Sequence, residues 1–271
     1  MSDQPHLTLN DDREMPQLGF GTWQVEEEDA AGVVKTALDV GYRLVDTAAI
    51  YENERGVGKG LEGREDIWLT TKIWNDDQGY AEAKTAFGHS LNRLGREDVD
   101  LLLIHWSCPQ KDRFVDTWKA MIELREEGRA KSIGVSNFRR EDLARIIEET
   151  GFAPAVNQIE LHPSFQQREL RALHDELGIR TQSWSPLGQG KGMDADVVGR
   201  IAEETGQSPA AVIIRWHLQS GLLVIPKASS RAHMADNLSA LDFTLSDAQM
   251  AAIDGLDRAD GRIGPDPADY C

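Results

Sequence analysis

Short apolar runs alternate along this chain with longer stretches whose apolar positions recur every three or four residues. From Gln17 onward the runs predict strands at Leu18–Phe20, Arg43–Val45, Ile67–Thr71, Val99–Ile104, Ser132–Val135, Ala155–Glu160, Thr181–Trp184 and Leu222–Ile225. Between them the helical period predicts helices over Asp29–Val40, Glu54–Leu61, Tyr80–Leu94, Phe114–Glu127, Glu141–Glu149 and Arg168–Leu177. Two more, Asp196–Thr205 and Pro209–Gln219, precede the last strand; Arg231–Leu241 and a Ser246-capped helix to Leu256 follow it. Ahead of all this, His6–Leu9 alternates, Asn10-Asp11-Asp12 is turn chemistry, and Glu14-Met15-Pro16 leads out, which predicts a hairpin. Eight strand–helix units of roughly 34 residues each predict one domain over residues 1–271, a closed parallel (β/α)8 TIM barrel with an N-terminal β-hairpin and accessory helices. An open doubly wound sheet is the alternative. No break in composition marks a linker.

Gly58-Lys59-Gly60-Leu61-Glu62-Gly63 satisfies the dinucleotide fingerprint G-x-G-x-x-G. That loop works only between a strand and the N-terminus of a helix, where backbone N–H groups meet a pyrophosphate. Here the preceding strand ends a dozen residues earlier, so the glycines are not expected to bind phosphate.

Three strands end on chemistry. The second stops at Asp46, the third runs into Lys72 and the fourth into His105, while Tyr51 follows five residues after Asp46. An unpaired carboxylate or ammonium is costly to bury, so its presence at the end of an apolar run needs a reason. The C-terminal strand ends of a barrel converge on one face, which would gather these groups in a common pocket. A tyrosine beside an ammonium has its phenolate stabilised and its pKa pulled down, and a carboxylate keeps that ammonium charged. With His105 orienting a carbonyl, the set suits protonation of an oxygen while hydride reaches its carbon. Any one of these residues alone reads more readily as part of a buried ion pair or a satisfied core histidine; their coincidence at strand ends reverses that and favours chemistry.

Composition narrows the partners. A net charge of −17 argues against nucleic acid and anionic membrane surfaces. Two cysteines, Cys108 and Cys271, make no disulfide framework. The first residues lack a basic region followed by an apolar run, and no apolar stretch has the length of a membrane span, so a soluble, cytoplasmic protein is expected. No H-x-H or H-E-x-x-H occurs, and no metal is expected.

The segments Gly41–Glu54 (G-Y-R-L-V-D-T-A-x-x-Y-x-N-E), Thr71-Lys72, Leu103–Trp106, Gly134–Phe138, Asn157–Pro163 and Ile225–Lys227 resemble the aldo-keto reductases, in family order across nearly the whole chain. Ser183–Gly190 and the short C-terminal tail are most similar to bacterial 2,5-diketo-D-gluconate reductases. The resemblance implies a (β/α)8 barrel that uses NADPH without a Rossmann domain. It implies Tyr51 as proton donor, Lys72 and Asp46 as its support, and His105 as the group that positions the carbonyl. Ser136, Asn137 and Gln158 would hold the nicotinamide carboxamide, Trp184 would stack on its ring, and Ser185, Leu187 and Gln189 would lie along the pyrophosphate. Thr22 joins this cofactor set. Lys227, Ser229 and His233 fall where the 2′-phosphate is bound, with Asp236 and Asn237 near the adenine. Trp23, Ile50, Trp74, His105, Trp106 and Gln189 would wall the substrate site. His162 is expected to be structural.

Three positions depart from the family pattern. His233 stands where many NADPH-using relatives carry arginine; an imidazole is only partly charged at neutral pH, so NADH use stays open beside NADPH. Ala228 replaces the usual serine, and Ser107 stands where proline is common. The resemblance favours reduction of keto-sugar acids such as 2,5-diketo-D-gluconate. A broad-specificity aldehyde or methylglyoxal reductase is the alternative, followed by a non-catalytic nicotinamide-cofactor-binding regulatory protein. A monomer acting on a small-molecule carbonyl substrate is expected.

Overall fold

The computed structural model describes residues 4–191 and 196–271. Strands β1 (His6–Thr8) and β2 (Glu14–Pro16) form an antiparallel hairpin that pairs Leu7 with Met15. Eight parallel strands follow and hydrogen-bond in chain order: β3 (Phe20–Gly21), β4 (Leu44–Asp46), β5 (Trp68–Ile73), β6 (Val99–Ile104), β7 (Ala130–Ser136), β8 (Val156–Glu160), β9 (Arg180–Trp184) and β10 (Leu223–Val224). The sheet curls until its edges meet. Leu18 bridges Val224, the Val224 N–H donates to the Gln17 carbonyl at 2.9 Å, and the Gly19 N–H donates to the Val224 carbonyl at 2.8 Å. The expected barrel, hairpin and accessory helices are all present.

Helices α1 (Glu27–Val40), α2 (Glu54–Gly60), α3 (Tyr80–Leu94), α4 (Phe114–Glu126), α5 (Arg140–Thr150) and α6 (Arg168–Leu177) each return the chain to the next strand. Helices α7 (Asp196–Thr205) and α8 (Pro209–Gln219) precede β10, while α9 (Arg231–Ser239) and α10 (Asp247–Asp254) follow it. The largest departures from expectation are at the seam. Strand one is Phe20–Gly21 rather than Leu18–Phe20, and strand eight shrinks to Leu223–Val224. Gly19 passes so close to the Leu44 side chain that a Cβ would collide with it, and Pro226 has no N–H to extend the ladder.

Both faces of the sheet are buried. Along β6, Leu101 and Leu103 point into the barrel with Leu44, Val156 and Leu223, while Leu102 and Ile104 point out against Phe87, Leu91 and Trp118. That two-sided burial is why the strand is a continuous apolar run rather than an alternating one. Leu9 and Met15 of the hairpin pack into the inner cluster, so one end of the barrel is filled. Function is left to the other end, where Asp46, Lys72, His105, Ser136 and Trp184 lie.

Gly58 and Gly60 of the rejected fingerprint, with Gly56 just ahead of it, have a packing role, whereas Gly63 takes a left-handed φ of 73° with open space around it. A Cβ at Gly56 would stand 2.5 Å from the Glu27 carbonyl, and one at Gly60 would stand 2.7 Å from the Val34 Cβ; at Gly58 it would overlap the Leu94 backbone. Helix α2 is therefore pressed against α1 and the end of α3 at backbone distance. Gly32 on exposed α1 has open space around its missing side chain. Gly58→Ala is expected to destabilise the fold by about 1–3 kcal/mol. Gly32→Ala is expected to stabilise it by about 0.5–1 kcal/mol, both read from denaturant unfolding.

Candidate active site

The end of β4 and the last residues of β5 place a carboxylate and an ammonium side by side. Lys72 Nζ donates to Asp46 Oδ1 at 2.5 Å and to the Thr47 carbonyl at 2.8 Å, and both side chains are out of contact with solvent. The other carboxylate oxygen, Asp46 Oδ2, accepts from Gln158 Nε2 at 2.8 Å; that amide also donates to Gln182 Oε1 at 2.7 Å. The pair is thus paired and hydrogen-bonded on every side that matters, which makes its burial tolerable. Burial pulls the Lys72 ammonium down, but the charges of Asp46 and Tyr51 and its hydrogen bonds outweigh this and hold its pKa above the ordinary value.

Tyr51 closes a short 3-10 turn, Ala49–Tyr51, after which Glu52 takes a left-handed conformation at φ 55°. Its hydroxyl stands 3.5 Å from Lys72 Nζ. Asn53 pins this turn: its Oδ1 accepts from Thr47 Oγ1 at 2.8 Å, and its Nδ2 donates to the Thr22 and Val25 carbonyls at 2.9 Å each. The sequence reading gave Asn53 no role; it lies within the quoted motif but carries no catalytic signal of its own.

One expectation is corrected here. The Tyr51 phenol is shifted above its ordinary pKa, not below it, because burial raises it more than the Lys72 charge lowers it. At neutral pH the phenol therefore holds its proton, and the ammonium is placed to stabilise the phenolate left after that proton departs. His105, just past β6, is pushed well below its ordinary value by burial and by the nearby Lys72 charge, so the imidazole is neutral. Its ring meets Tyr51 at 5.7 Å and Trp74 at 5.2 Å, both edge-to-face. Its Nδ1 is buried without a hydrogen-bond partner among the described residues.

These groups open into a cleft of about 580 Å³ at the C-terminal face. Trp23, Ile50, Trp74 and Trp106 form its walls, with Trp23 and Ile50 exposed at the mouth. Ser136, Asn137, Gln158 and Trp184 line another side, followed by Ser185, Gln189 and Lys227. Hydrogen bonds lock this side together. Ser136 Oγ donates to the Gln158 carbonyl at 2.8 Å, Asn137 Nδ2 to the His105 carbonyl at 3.0 Å, and Trp184 Nε1 to Asn137 Oδ1 at 2.8 Å. The indole plane is thereby fixed by its edge. Ser185 and Gln189 both take left-handed backbone conformations, φ 47° and 52°, in the loop after β9. Lys227 is exposed, and its Nζ lies 3.4 Å from the Gln24 carbonyl across the mouth.

Other residues expected at the site stand outside the cleft lining. Thr22 is buried and donates to the Asp46 carbonyl at 3.0 Å. Leu187 packs among the apolar residues of the helical shell. Ser229 is exposed before α9, and His233 is exposed in the first turn of that helix, where Ser230 Oγ accepts from the His233 N–H. Asp236 accepts from Ser208 Oγ at 2.6 Å, and Asn237 is buried on α9, where the Tyr42 hydroxyl donates to the Met234 carbonyl at 3.4 Å.

The sequence reading missed the segment after α10. Gly264, Pro265 and Tyr270 line the cleft, and the Tyr270 ring lies 4.5 Å from that of Trp106. Glu160 anchors the segment by accepting from the Ile263 and Gly264 N–H groups at 2.6 and 2.8 Å. His162 sits at 3.1 Å from Glu160 and serves this anchor. A polar, aperiodic stretch carried no signal of such a position.

The ion pair separates stability from chemistry. Lys72→Met leaves the Asp46 charge buried without its ammonium and is expected to cost about 3–5 kcal/mol in denaturant unfolding. Asp46→Leu combined with Lys72→Met is expected to recover most of that loss while leaving the site without catalysis. A double variant as unstable as the single one would contradict this.

Comparison with known proteins agrees with the geometry. Residues 17–258 match the Aldo/keto reductase family. An aldo-keto reductase of Mycolicibacterium smegmatis is 50% identical over 98% of both chains, and methylglyoxal reductase DkgA of Escherichia coli K12 is 46% identical over 100% of this chain and 99% of its own. A crystal structure of a Gox0644 mutant in complex with NADPH superposes with a TM-score of 0.98 at 50% identity, covering 100% of both chains. With a phenol, an ammonium, a carboxylate and an imidazole gathered at the mouth of an eight-stranded barrel, and relatives alike from end to end, the chain belongs to the aldo/keto reductase family.

Proposed function

We propose that this protein reduces small aldehydes and α-dicarbonyl compounds of the methylglyoxal class with NADPH, and that Tyr51 supplies the proton. The observation that carries the reading is a proton-bearing phenol 3.5 Å from a buried, carboxylate-held ammonium at the floor of an aromatic cleft. As an aldo-keto reductase the chain is an oxidoreductase acting on carbonyl groups.

The residues present fit a nicotinamide cofactor. Trp184 offers a flat face held by its edge, which suits stacking. Ser136, Asn137 and Gln158 bring amide and hydroxyl groups to the same side. Ser185, Leu187 and Gln189 belong to a tight loop whose backbone suits a pyrophosphate, and Lys227, Ser229 and His233 cluster near the start of α9, where the helix dipole favours a phosphate. Thr22 belongs to the same proposed cofactor set, and Asp236 and Asn237 on α9 would face the adenine. Bound NADPH supplies the hydride. The protein's own part is to hold the carbonyl oxygen between His105 and Tyr51, give it the Tyr51 proton, and steady the phenolate through Lys72.

The cleft walls favour neutral substrates. Trp23, Ile50, Trp74, Trp106 and Tyr270 surround the opening, and among the described residues Lys227 is the one exposed basic side chain in the lining. A keto-sugar acid would draw its carboxylate partner from the same lysine that a 2′-phosphate needs. The name of the Escherichia coli relative, a methylglyoxal reductase, supports the same class.

A panel of carbonyls assayed by NADPH absorbance tests the reading. kcat/KM for methylglyoxal and simple aromatic aldehydes is expected to exceed that for 2,5-diketo-D-gluconate by at least about tenfold; the reverse order would assign the keto-sugar acid. In the same assay His233→Arg is expected to tighten NADPH by about tenfold while leaving NADH little changed. Equal effects on both would place the 2′-phosphate elsewhere.

A further inference from the structure

The two cysteines of the chain come together beside the cleft. Cys108 is buried in the loop after β6, two residues past Trp106, in a left-handed conformation at φ 46° with its carbonyl accepting from the Lys111 N–H at 2.9 Å. Cys271 is exposed. Two contacts hold its segment against the Cys108 loop: the Tyr270 ring lies 4.5 Å from Trp106, and Gln110 Nε2 donates to the Ala268 carbonyl at 2.6 Å. These two contacts bring Cys271 beside the Cys108 loop, where the two thiols are near enough to interact electrostatically. The Lys111 ammonium, paired with Asp76 at 2.7 Å, is within electrostatic reach of both sulfurs.

We propose that Cys108 and Cys271 are a dithiol that hydrogen peroxide converts into an intramolecular disulfide, reversible by thiols, clamping Tyr270 against Trp106 and fixing the width of the cleft. The exposed Cys271 sulfur attacks the peroxide O–O bond and becomes a sulfenic acid as one water leaves. The Cys108 sulfur then attacks the sulfenic sulfur; the S–O bond breaks, the S–S bond forms, and the departing hydroxide takes the Cys108 proton as a second water. Two thiols are oxidised by two electrons and one peroxide is reduced to two waters. The order of events follows from the surroundings. Cys108 is buried, and burial holds its thiol protonated, whereas Cys271 is open to solvent, so the exposed thiol meets the oxidant first. Because the segment is already docked at both ends, by Glu160 and by the Cys108 loop, closing the bond asks little further ordering of the chain.

Peptide mapping of the reduced full chain after one equivalent of hydrogen peroxide tests the bond. The expected product is a cross-linked peptide containing Cys108 and Cys271, short of two hydrogens, in monomeric protein and reversed by dithiothreitol. Recovery of Cys271 as a sulfinic acid, or linked to a second copy, with Cys108 still open to alkylation would overturn the proposal. The clamp is read separately, and it rests on the cleft being the substrate site. Oxidation is expected to raise KM for a bulky aromatic aldehyde by at least about threefold while leaving that for methylglyoxal unchanged. Cys271→Ser should abolish this response without altering the reduced enzyme. A mapped cross-link with no change in KM would overturn the clamp. Because the peptide map needs no turnover, failure of the reductase reading would show as an inactive protein that still cross-links.

Discussion

The buried contact between Lys72 and Asp46 is the constraint on which the rest of the site depends. Two opposite charges sit where neither meets solvent, joined at 2.5 Å and secured by Gln158 and the Thr47 carbonyl. Such a pair is weak support for a fold, since apolar residues of the same volume would hold the strands together at least as well. Its value lies in what stands over it. An ammonium kept charged in a place of low dielectric acts strongly on a phenol 3.5 Å away, and it has most effect on the anion that appears once the proton has left.

The barrel supplies the rigidity that this arrangement needs. Asp46, Lys72, His105, Gln158 and Trp184 come from five different strands or strand ends, so their separations are set by sheet register rather than by flexible loops. The hairpin fills one end with Leu9 and Met15, and the inner leucines fill the middle. The Ala49–Tyr51 turn, which lies off the sheet, is tied down by Asn53 through three hydrogen bonds. At the opposite wall, Glu160 performs the same service for the segment that carries Tyr270. Burial pushes this carboxyl up, but His162 and two backbone N–H groups outweigh the push and hold it below its ordinary range, so it stays an acceptor.

Much of this was readable from the chain because a parallel strand buried on both faces is an apolar run, against which a lone Asp46, Lys72 or His105 stands out. Helices such as Tyr80–Leu94 and Pro209–Gln219 were equally plain from their period. The seam strands were not, since their extent is set by where Leu18 meets Val224 as the sheet closes, a long-range contact that no local pattern reports. The direction of the Tyr51 shift was also hidden. It is set by a contest between burial and an ammonium at one particular distance, and residue types alone cannot weigh the two. The contribution of Gly264, Pro265 and Tyr270 was invisible for another reason: a polar segment with no period reveals neither its anchor nor the wall it forms. The G-x-G-x-x-G match shows the converse, since its Gly58 and Gly60 are required by helix packing.

The central claim is that Tyr51 rests as a neutral phenol whose anion Lys72 stabilises. Titration of Tyr51 by NMR, with carbon-13 at the phenol carbon, tests it most directly in the wild type and in Lys72→Met. The account predicts a wild-type phenol that keeps its proton through neutral pH and ionises above the ordinary tyrosine value of about 10, moving higher still in the variant. A phenolate already present at neutral pH, or a titration that Lys72→Met leaves in place, would contradict it.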